Sequence, residues 1–439
     1  MSLIKRWSKY NYLFEKDGMY LFYNSLTNSF VSLSENLYRY LSGFKAGEEV
    51  RIENPALEEN LKRMKAIVED DRFEIRKIRY ANTARRFQSG GLHLTLNPTL
   101  GCNFACPYCF EEGKRAVRMD DETEERIIEL IRKSEPKRIG VTWFGGEPLL
   151  EFKRIRSLTK RILDTGIAYS ANMISNGYLL TEEVARQLEE LKIKSIQITL
   201  DGTKERHDSR RYLKNGGGTF DRIYSNIEKC AEIAPNVAIS IRVNIDKTNF
   251  AAFMDVYSLM GRRWKNVRVY PAFVSDVDAR EQVPCMLNVD ERFVYMKNLS
   301  REYGLDYNRF YPDASRAECS VRSRSTVVIG PEGELYKCWN DVGKPEMVYG
   351  TLKEGVTNER VLYDYLAGAD QFEDETCKEC IMLPICPGGC PHTRLVDERS
   401  GTRNACPLNV RNLKDYLWEH YKVIQKRNEK REPEKIKKI

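Results

Sequence analysis

An α/β fold is predicted for this 439-residue chain, and three observations predict it. From about residue 91 to 275, short strand-type runs alternate with amphipathic helical stretches, the pattern of a parallel sheet or barrel. The first stretch, to about residue 90, places small β-type runs before helices. From about Arg316 onward the chain is cysteine-dense and poor in strands. Such a length accommodates two or three domains and a sizeable core.

In the central region, strands are expected near Leu92–Leu96, Arg138–Phe144, Ala168–Ile174, Ser195–Leu200, Val237–Asn244 and Val267–Pro271. Helices are expected at Asp121–Lys133, Thr181–Leu191 and Phe220–Ala234, each with an apolar stripe at helical spacing. Two of the strands also alternate. Gln197 and Thr199 oppose Ile196, Ile198 and Leu200, and Ser240, Arg242 and Asn244 oppose Val237, Ile239, Ile241 and Val243. With the apolar face against helices, the polar face is left for a lumen that would hold a polar ligand, where an ordinary barrel packs branched apolar residues.

The N-terminal region reads as a small domain of residues 1–90. Its β-type runs are Tyr10–Phe14, Met19–Tyr23 and Phe30–Ser32, with turn signals at Lys16-Asp17-Gly18 and Asn24–Asn28. Ser34-Glu35-Asn36 opens a helix, and a second runs from Leu57 to Val68. This order suggests a winged helix–turn–helix. At the other end, a hairpin is expected at Ser325–Val328 and Glu334–Lys337, across Gly330–Gly333, and a final helix at Val410–Gln425 before a basic tail, residues 426–439.

The 41% apolar and 31% charged fractions are those of an ordinary globular protein, and the net charge of +7 is mild. No apolar run reaches a membrane-spanning length, and M-S-L-I-K-R-W-S-K-Y has no signal-peptide core, so a cytoplasmic location is expected. The basic tail reads as a solvated end, and no basic surface interleaved with aromatics marks a nucleic-acid partner. In a reducing compartment, twelve cysteines read as metal ligands before disulfides.

Cys102, Cys106 and Cys109 stand in C-x₃-C-x₂-C spacing directly after the first central strand. Three soft thiolates on one loop suit zinc or an iron–sulfur cluster. No fourth Cys or His lies in the loop, so half of a zinc site completed from elsewhere and a cluster with one open iron are both compatible.

With its neighbours, the C-N-F-A-C-P-Y-C loop resembles that of radical S-adenosylmethionine (SAM) enzymes. Gly145-Gly146-Glu147-Pro148 follows the second strand, Ser175-Asn176-Gly177 the third and Asp201-Gly202 the fourth, with His207-Asp208-Ser209-Arg210-Arg211 after it. The resemblance covers about residues 91–406 and implies a partial (β/α)6 TIM-type barrel at 91–275. It implies that Cys102, Cys106 and Cys109 hold a 4Fe–4S cluster whose open iron takes the amino and carboxylate groups of SAM. Reductive cleavage would then give methionine and a 5′-deoxyadenosyl radical that abstracts a substrate hydrogen. Gly145, Gly146 and Glu147 would meet the methionyl amino group, Ser175 and Asn176 the ribose, and Arg211 the methionyl carboxylate. Two glycines permit close backbone approach, a carboxylate suits an ammonium, and a guanidinium is a planar fork for a carboxylate. Tyr108 and Phe110 flank the last cysteine and would pack near adenine or in the core. Gly216-Gly217-Gly218 reads as a helix entry capped by Thr219 rather than a phosphate cradle.

The later cysteines extend the resemblance. Cys319 and Cys338 stand in C-x₁₃-G-x₄-C, and Cys377, Cys380, Cys386 and Cys390 in C-x₂-C-x₅-C-x₃-C, followed by Cys406. This is similar to the SPASM extension, placed at 316–410, with a bridging region at 276–315 and a C-terminal helix and tail at 411–439. It implies two auxiliary 4Fe–4S clusters: an outer one on Cys377, Cys380, Cys386 and Cys406, and an inner one on Cys319, Cys338 and Cys390. A zinc module is the plainer reading of the same residues. Sulfatase-maturing members carry an eighth cysteine and an Asp after the second; here Ser325 and Trp339 stand near those positions. Cys285 could close the inner site, or the site could stay open to a substrate thiolate. Cys230, in a helical pattern, reads as a small core residue.

The run Y-L-F-Y-N-S-L-T-N-S-F-V-S-L-S-E-N resembles leader-peptide recognition domains, in which a leader adds a strand to the small sheet. The resemblance therefore implies a peptide maturase that binds a ribosomally made precursor, takes electrons from a reductant such as flavodoxin or ferredoxin, and installs a thioether or carbon–carbon crosslink. Its auxiliary clusters would accept the electron left over. Two other readings are a formylglycine-generating sulfatase maturase, which Trp339 disfavours, and a non-catalytic peptide-binding scaffold with structural metal.

Overall fold

The computed structural model describes residues 4–109, 115–274, 285–305, 310–312, 318–400, 405–406 and 408–436. Phe110, parts of the 276–315 bridge and the end of the basic tail lie outside the described residues. The chain forms two compact units: Met1–Arg86 with Val289–Cys319 and Ala369–Ile439, and Phe87–Asn288 with Ser320–Gly368.

The first unit begins with β1 (Arg6–Trp7), then β2 (Asn11–Lys16), β3 (Met19–Asn24) and β4 (Ser29–Leu33), which form a three-stranded antiparallel sheet in the order β2-β3-β4. Asp17 and Gly18, both at positive φ, make the β2–β3 turn. Helices follow: α1 (Glu35–Ser42), capped by Ser34, and α2 (Pro55–Arg63), capped by Asn54 with proline in its first turn. The helix expected to reach Val68 stops earlier. Lys65 turns to φ 52°, and Ile67–Val68 become β5, paired antiparallel with β1. A third helix, α3 (Asp71–Arg86), was not expected from its charged sequence, but Ile75 and Ile78 on one face pack against Tyr10, Leu26, Phe372 and Leu383. Arg86, 5% exposed, ends it with Nε and Nη2 on Glu318 and Nη1 on Asp370 (2.5–2.8 Å), an ion triple between segments far apart in sequence.

The second unit is built on β6 (Gly91–Leu96), α4 (Asp121–Ser134), β7 (Arg138–Trp143), α5 (Phe152–Leu163), β8 (Ala168–Ser175), α6 (Glu182–Ala185), β9 (Ile193–Thr199), α7 (Lys204–Arg210), α8 (Phe220–Ile233), β10 (Ala238–Ile245), α9 (Ala252–Met260) and β11 (Val267–Phe273). The strands from β6 to β11 pair in sequence order and all in parallel, so the expected strands form the expected parallel sheet. Ile127, Ile128 and Ile131 of α4 and Ile155, Leu158 and Ile162 of α5 are buried. The helix expected at Thr181–Leu191 is shorter: from Gln187 the chain runs through turns in which i→i+3 bonds at Gln187, Leu188 and Lys192 mix with one i→i+4 bond at Leu191, and it closes at Lys192, φ 55°. Along β9, Ile196 and Ile198 are fully buried while Gln197 and Thr199 are half-buried. On the polar side, Tyr270 Oη donates to Gln197 Oε1 (2.6 Å) and Arg242 Nε to Asn244 Oδ1 (2.8 Å).

After α10 (Val289–Tyr303), which belongs to the first unit, the predicted hairpin appears as β12 (Thr326–Ile329) and β13 (Glu334–Tyr336). It is not separate from the central sheet: β12 runs parallel to β6, with Thr326 opposite His93, and β13, β14 (Gly350–Thr351) and β15 (Gly355–Val356) extend it to ten strands. Then come α11 (Glu359–Leu366) in the second unit and α12 (Glu375–Lys378), α13 (Pro391–Ser400), α14 (Leu408–Arg411) and α15 (Leu413–Ile436) in the first. The final helix thus starts at Leu413, and Leu413, Leu417 and Trp418 pack with Phe14, Leu21 and Tyr23 of the small sheet. Among the described residues no helix is long and apolar enough to cross a membrane.

Candidate active site

Because β6 to β10 run parallel, the loops that leave Leu96, Trp143, Ser175, Thr199 and Ile245 emerge at one end of the sheet, where active sites of such folds form. The loop after β6 carries Cys102, Cys106 and Cys109, and it docks on the turn after β7. Gly146 N donates to Thr99 O (3.1 Å) and Glu147 N to Gly101 O (2.9 Å). A Cβ on Gly145, which sits at φ 113°, would lie 2.3 Å from Thr99 O, and one on Gly146 would lie 2.3 Å from Gly101 O. The glycine pair therefore admits the cysteine loop's own backbone.

Glu147 is fully buried and its carboxylate accepts from Leu149 N (3.0 Å), Ser175 Oγ (2.8 Å) and Asn176 N (2.7 Å). Burial pushes its pKa up, against these three donors. Glu147 thus ties the turn after β7 to the end of β8. The Ser175 hydroxyl also accepts from Gly177 N (3.0 Å), so it too is engaged within the protein. Asn176 Nδ2 donates to Asn103 Oδ1 (2.7 Å), between Cys102 and the next residues of the loop, and lies 3.9 Å from Cys102 Sγ.

The three thiols of the loop lie close enough that each of Cys106 and Cys109 acts electrostatically on Cys102. Burial pushes the Cys102 thiol up to about 12 and raises Cys106, which Arg211 partly offsets. Phe104 N donates to Cys102 Sγ (3.4 Å). Thiols held protonated this way lose the proton when a metal replaces it.

Tyr108 is bound from several sides. Its hydroxyl donates to Asp201 Oδ2, accepts from Arg211 Nη1 (2.9 Å) and lies 3.5 Å from Asn244 Nδ2. The Arg210 guanidinium sits 4.9 Å from its ring centre, a cation–π contact. Asp201, fully buried, also accepts from Asn244 N (3.0 Å), while Arg210 Nη2 pairs with Asp246 (2.9 Å). Arg211 stays charged: burial works against it, and Tyr108, Cys106 and Asp201 outweigh burial. Its Nε is buried without a hydrogen-bond partner.

Behind this network, Asp201 N donates to His207 Nδ1 (3.2 Å), so His207 Nε2 carries the proton toward Thr219 Oγ1 (3.0 Å). Thr219 Oγ1 in turn donates to Arg211 O (2.5 Å), which positions Arg211 from behind. The expected cap is corrected here. Thr219 does not cap α8; Asp208 Oδ1 does, accepting from Thr219 N (2.7 Å) and Phe220 N (2.8 Å), and a Cβ on Gly218 would strike Asp208 at 2.5 Å.

A second group lies in the first unit. Cys377, Cys380, Cys386 and Cys406 act electrostatically on one another. Burial raises the thiols of Cys377, Cys380 and Cys386, the last to about 11. Met382 N donates to Cys380 Sγ and Gly388 N to Cys386 Sγ, both at 3.4 Å. Gly389, at φ 73°, lets Ala405 O approach to where a Cβ would lie 1.9 Å away, and this brings in Cys406. Of the remaining set, Cys319 and Cys390 are exposed in the first unit, and Cys338 is buried after β13 in the second.

Ser325 Oγ lies 3.0 Å from Ser323 Oγ at the start of β12, and Trp339 packs its ring 5.5 Å from Phe144. Cys285 O accepts from Lys247 N (2.8 Å), and the Cys285 thiol faces Asp246 beyond β10. Cys230 is fully buried in α8. Sequence reasoning had not singled out Asn103, Asp246 or Arg394 for the sites. Asn244 was read only as a lumen-facing position of its strand, and His207 only as part of the H-D-S-R-R run.

The residues fit a cluster with an amino-acid-like ligand: clustered thiols on one loop, and beside Cys106 a buried guanidinium with an unmet donor. Comparison with known proteins points the same way. The family model of the Radical SAM superfamily matches residues 96–260. The chain is 24% identical over 327 residues to a serine-type anaerobic sulfatase-maturating enzyme of Klebsiella aerogenes, covering 68% of this chain and 79% of that protein. The fold is shared with anSMEcpe solved with bound AdoMet (TM-score 0.59, 20% identity, 77% of this chain and 96% of that one). It is shared too with Streptococcus suis SuiB bound to precursor peptide SuiA (TM-score 0.53, 15% identity, 92% and 99%).

Proposed function

We propose, from the Radical SAM domain matched at residues 96–260, that the chain is a radical SAM enzyme that matures a ribosomally made precursor peptide by installing a covalent crosslink. Cys102, Cys106 and Cys109 would hold the 4Fe–4S cluster, and Arg211 the methionyl carboxylate, through the donor it has to spare. When bound, cluster and SAM supply a carbon radical able to remove a substrate hydrogen. The protein's part is to hold the loop against Gly145–Glu147 and Asp201, and to present the polar strand faces at Gln197 and Arg242 to the substrate.

The observation that carries the peptide reading is β4. Among the described residues it pairs as a strand with β3 alone, an edge strand with Val31 36% exposed, ready to accept an extended leader by strand addition. One relative matures sulfatases and one structural neighbour binds a precursor peptide, so a polypeptide substrate is common to both. Joining two substrate atoms removes two hydrogens. One leaves as an atom and the other as a proton, whose electron needs an acceptor, and Cys377, Cys380, Cys386 and Cys406 would hold a cluster for it.

Sulfatase maturation is the second reading, favoured by the similarity to the Klebsiella enzyme. Trp339, where the resemblance implies a carboxylate, argues for the first. Two measurements decide. Anaerobic reconstitution should give about twelve irons per chain, and about four would remove the auxiliary clusters. A peptide encoded beside this gene should lose two hydrogen masses per link, whereas an aldehyde on a Cys- or Ser-type sulfatase peptide would establish the second reading.

A further inference from the structure

Arg394 is a charged side chain buried against a cysteine of the second group. It lies in α13 and is 7% exposed. Nη2 donates to Cys377 Sγ (3.4 Å) and to Gly388 O (3.0 Å), Nε donates to the same carbonyl (3.1 Å), and Nη1 meets Asp374 Oδ2 (3.1 Å). The other carboxylate oxygen of Asp374 accepts from Cys377 N (2.9 Å). Cys377 is therefore gripped at its sulfur by a cation and at its backbone by that cation's counter-ion. Cys380 and Cys386 receive neutral backbone N–H donors at the same 3.4 Å.

A neutral amide could satisfy Gly388 O and hold the loop, so the geometry alone does not require a guanidinium there. Burying one is costly unless its charge is used. A protonated thiol is a weak acceptor, whereas a ligating thiolate makes a charge-assisted bond. Hydrogen bonds to cluster sulfurs and the net charge around them set the reduction potential. A positive charge at a sulfur favours the state carrying the extra electron, and a negative one opposes it.

Resting on the reading that Cys377, Cys380, Cys386 and Cys406 hold an iron–sulfur cluster, we propose that Arg394 tunes that cluster's reduction potential upward. Its guanidinium, donating to the Cys377 sulfur, makes the cluster the better electron acceptor, and Asp374 sets the limit from the other side. Arg394 thus acts through Cys377 as a positioning and charge-supplying residue and touches no substrate.

The test uses the full chain, reconstituted anaerobically, with Cys102, Cys106 and Cys109 all changed to Ala to silence the first cluster. Redox titration followed by electron paramagnetic resonance reads the midpoint of the signal that Cys377→Ala with Cys380→Ala removes. With iron retained, Arg394→Gln should lower that midpoint, with Arg394→Lys between it and the parent. Asp374→Asn, whose amide still caps Cys377 N–H, should raise it. An unchanged midpoint in both Arg394→Gln and Asp374→Asn would show a mechanical strap and overturn the proposal. Should Arg394→Gln shed iron, Asp374→Asn decides alone: a rise supports the proposal and no shift overturns it. If the double cysteine variant loses neither iron nor signal, the cluster is absent and the reading beneath the proposal fails instead.

Discussion

The hydroxyl of Tyr108, one residue before the last cysteine of its loop, donates to the buried carboxylate of Asp201 at the end of β9. That bond pins the cysteine loop to a strand almost a hundred residues further along. Without the hydroxyl, Asp201 Oδ2 keeps, among the described residues, only Arg210 at 3.7 Å, and an under-satisfied buried acceptor costs about 1–3 kcal/mol. Tyr108→Phe should therefore lose iron from this loop to a chelator faster than the parent. Equal rates of iron release would show that the bond does not hold the loop.

Gly146 makes a steric prediction. With a Cβ 2.3 Å from Gly101 O and 2.6 Å from Leu100 O, Gly146→Ala cannot dock the loop as it stands. Reconstituted Gly146→Ala should bind about four fewer irons than the parent, the rest being untouched. Iron analysis settles it, and a full complement would mean the loop can move aside.

Arg211 donates to Tyr108 through Nη1 and has Nε to spare for SAM, so its removal is expected to weaken SAM binding. A charge-assisted hydrogen bond contributes about 1.5–3 kcal/mol, so Arg211→Gln should weaken SAM roughly 10- to 150-fold with iron content unchanged. Equilibrium dialysis against SAM measures this. Arg211→Lys, with one ammonium in place of a planar fork, should recover part of the loss.

His207 makes stability depend on pH. Burial, then Arg211 and Arg210, depress its pKa from 6.5 to about 2. The folded protein thus keeps it neutral where the unfolded chain protonates it. Its contribution is fully present above pH 6.5 and is lost as pH falls toward 2, by about 1.4 kcal/mol per unit. Denaturant titration of the metal-free protein at pH 7 and pH 5 should show this loss, and His207→Gln should reduce it.

Much of the fold was legible because strand and helix periods are local properties. Alternation in Ile196–Leu200 and the stripe of Ile127, Ile128 and Ile131 report their own environment, and β9 and α4 form there. The α5 stripe of Ile155, Leu158 and Ile162 was equally periodic but lay among basic residues that masked it. The helix expected to run to Val68 failed because a left-handed Lys65 and pairing with β1 redirect the chain. For the sites, spacing in the sequence singled out the cysteines but could not show their partners.

By itself, then, the sequence determined the central strands, the helices α4 and α8, and where the cysteine-bearing loop leaves β6, while α5, α7 and α9 were not read from it. Only the tertiary structure decided that the glycine pair receives that loop's backbone, that Glu147 faces Ser175 and Asn176, and that Asp208 caps α8. It also decided that the small N-terminal sheet and the Cys377 group belong to one unit. The physical reason is range. Backbone propensity and side-chain periodicity are felt within a few residues, whereas a buried polar group takes whichever partner the folded chain brings to it, as Tyr108 takes Asp201.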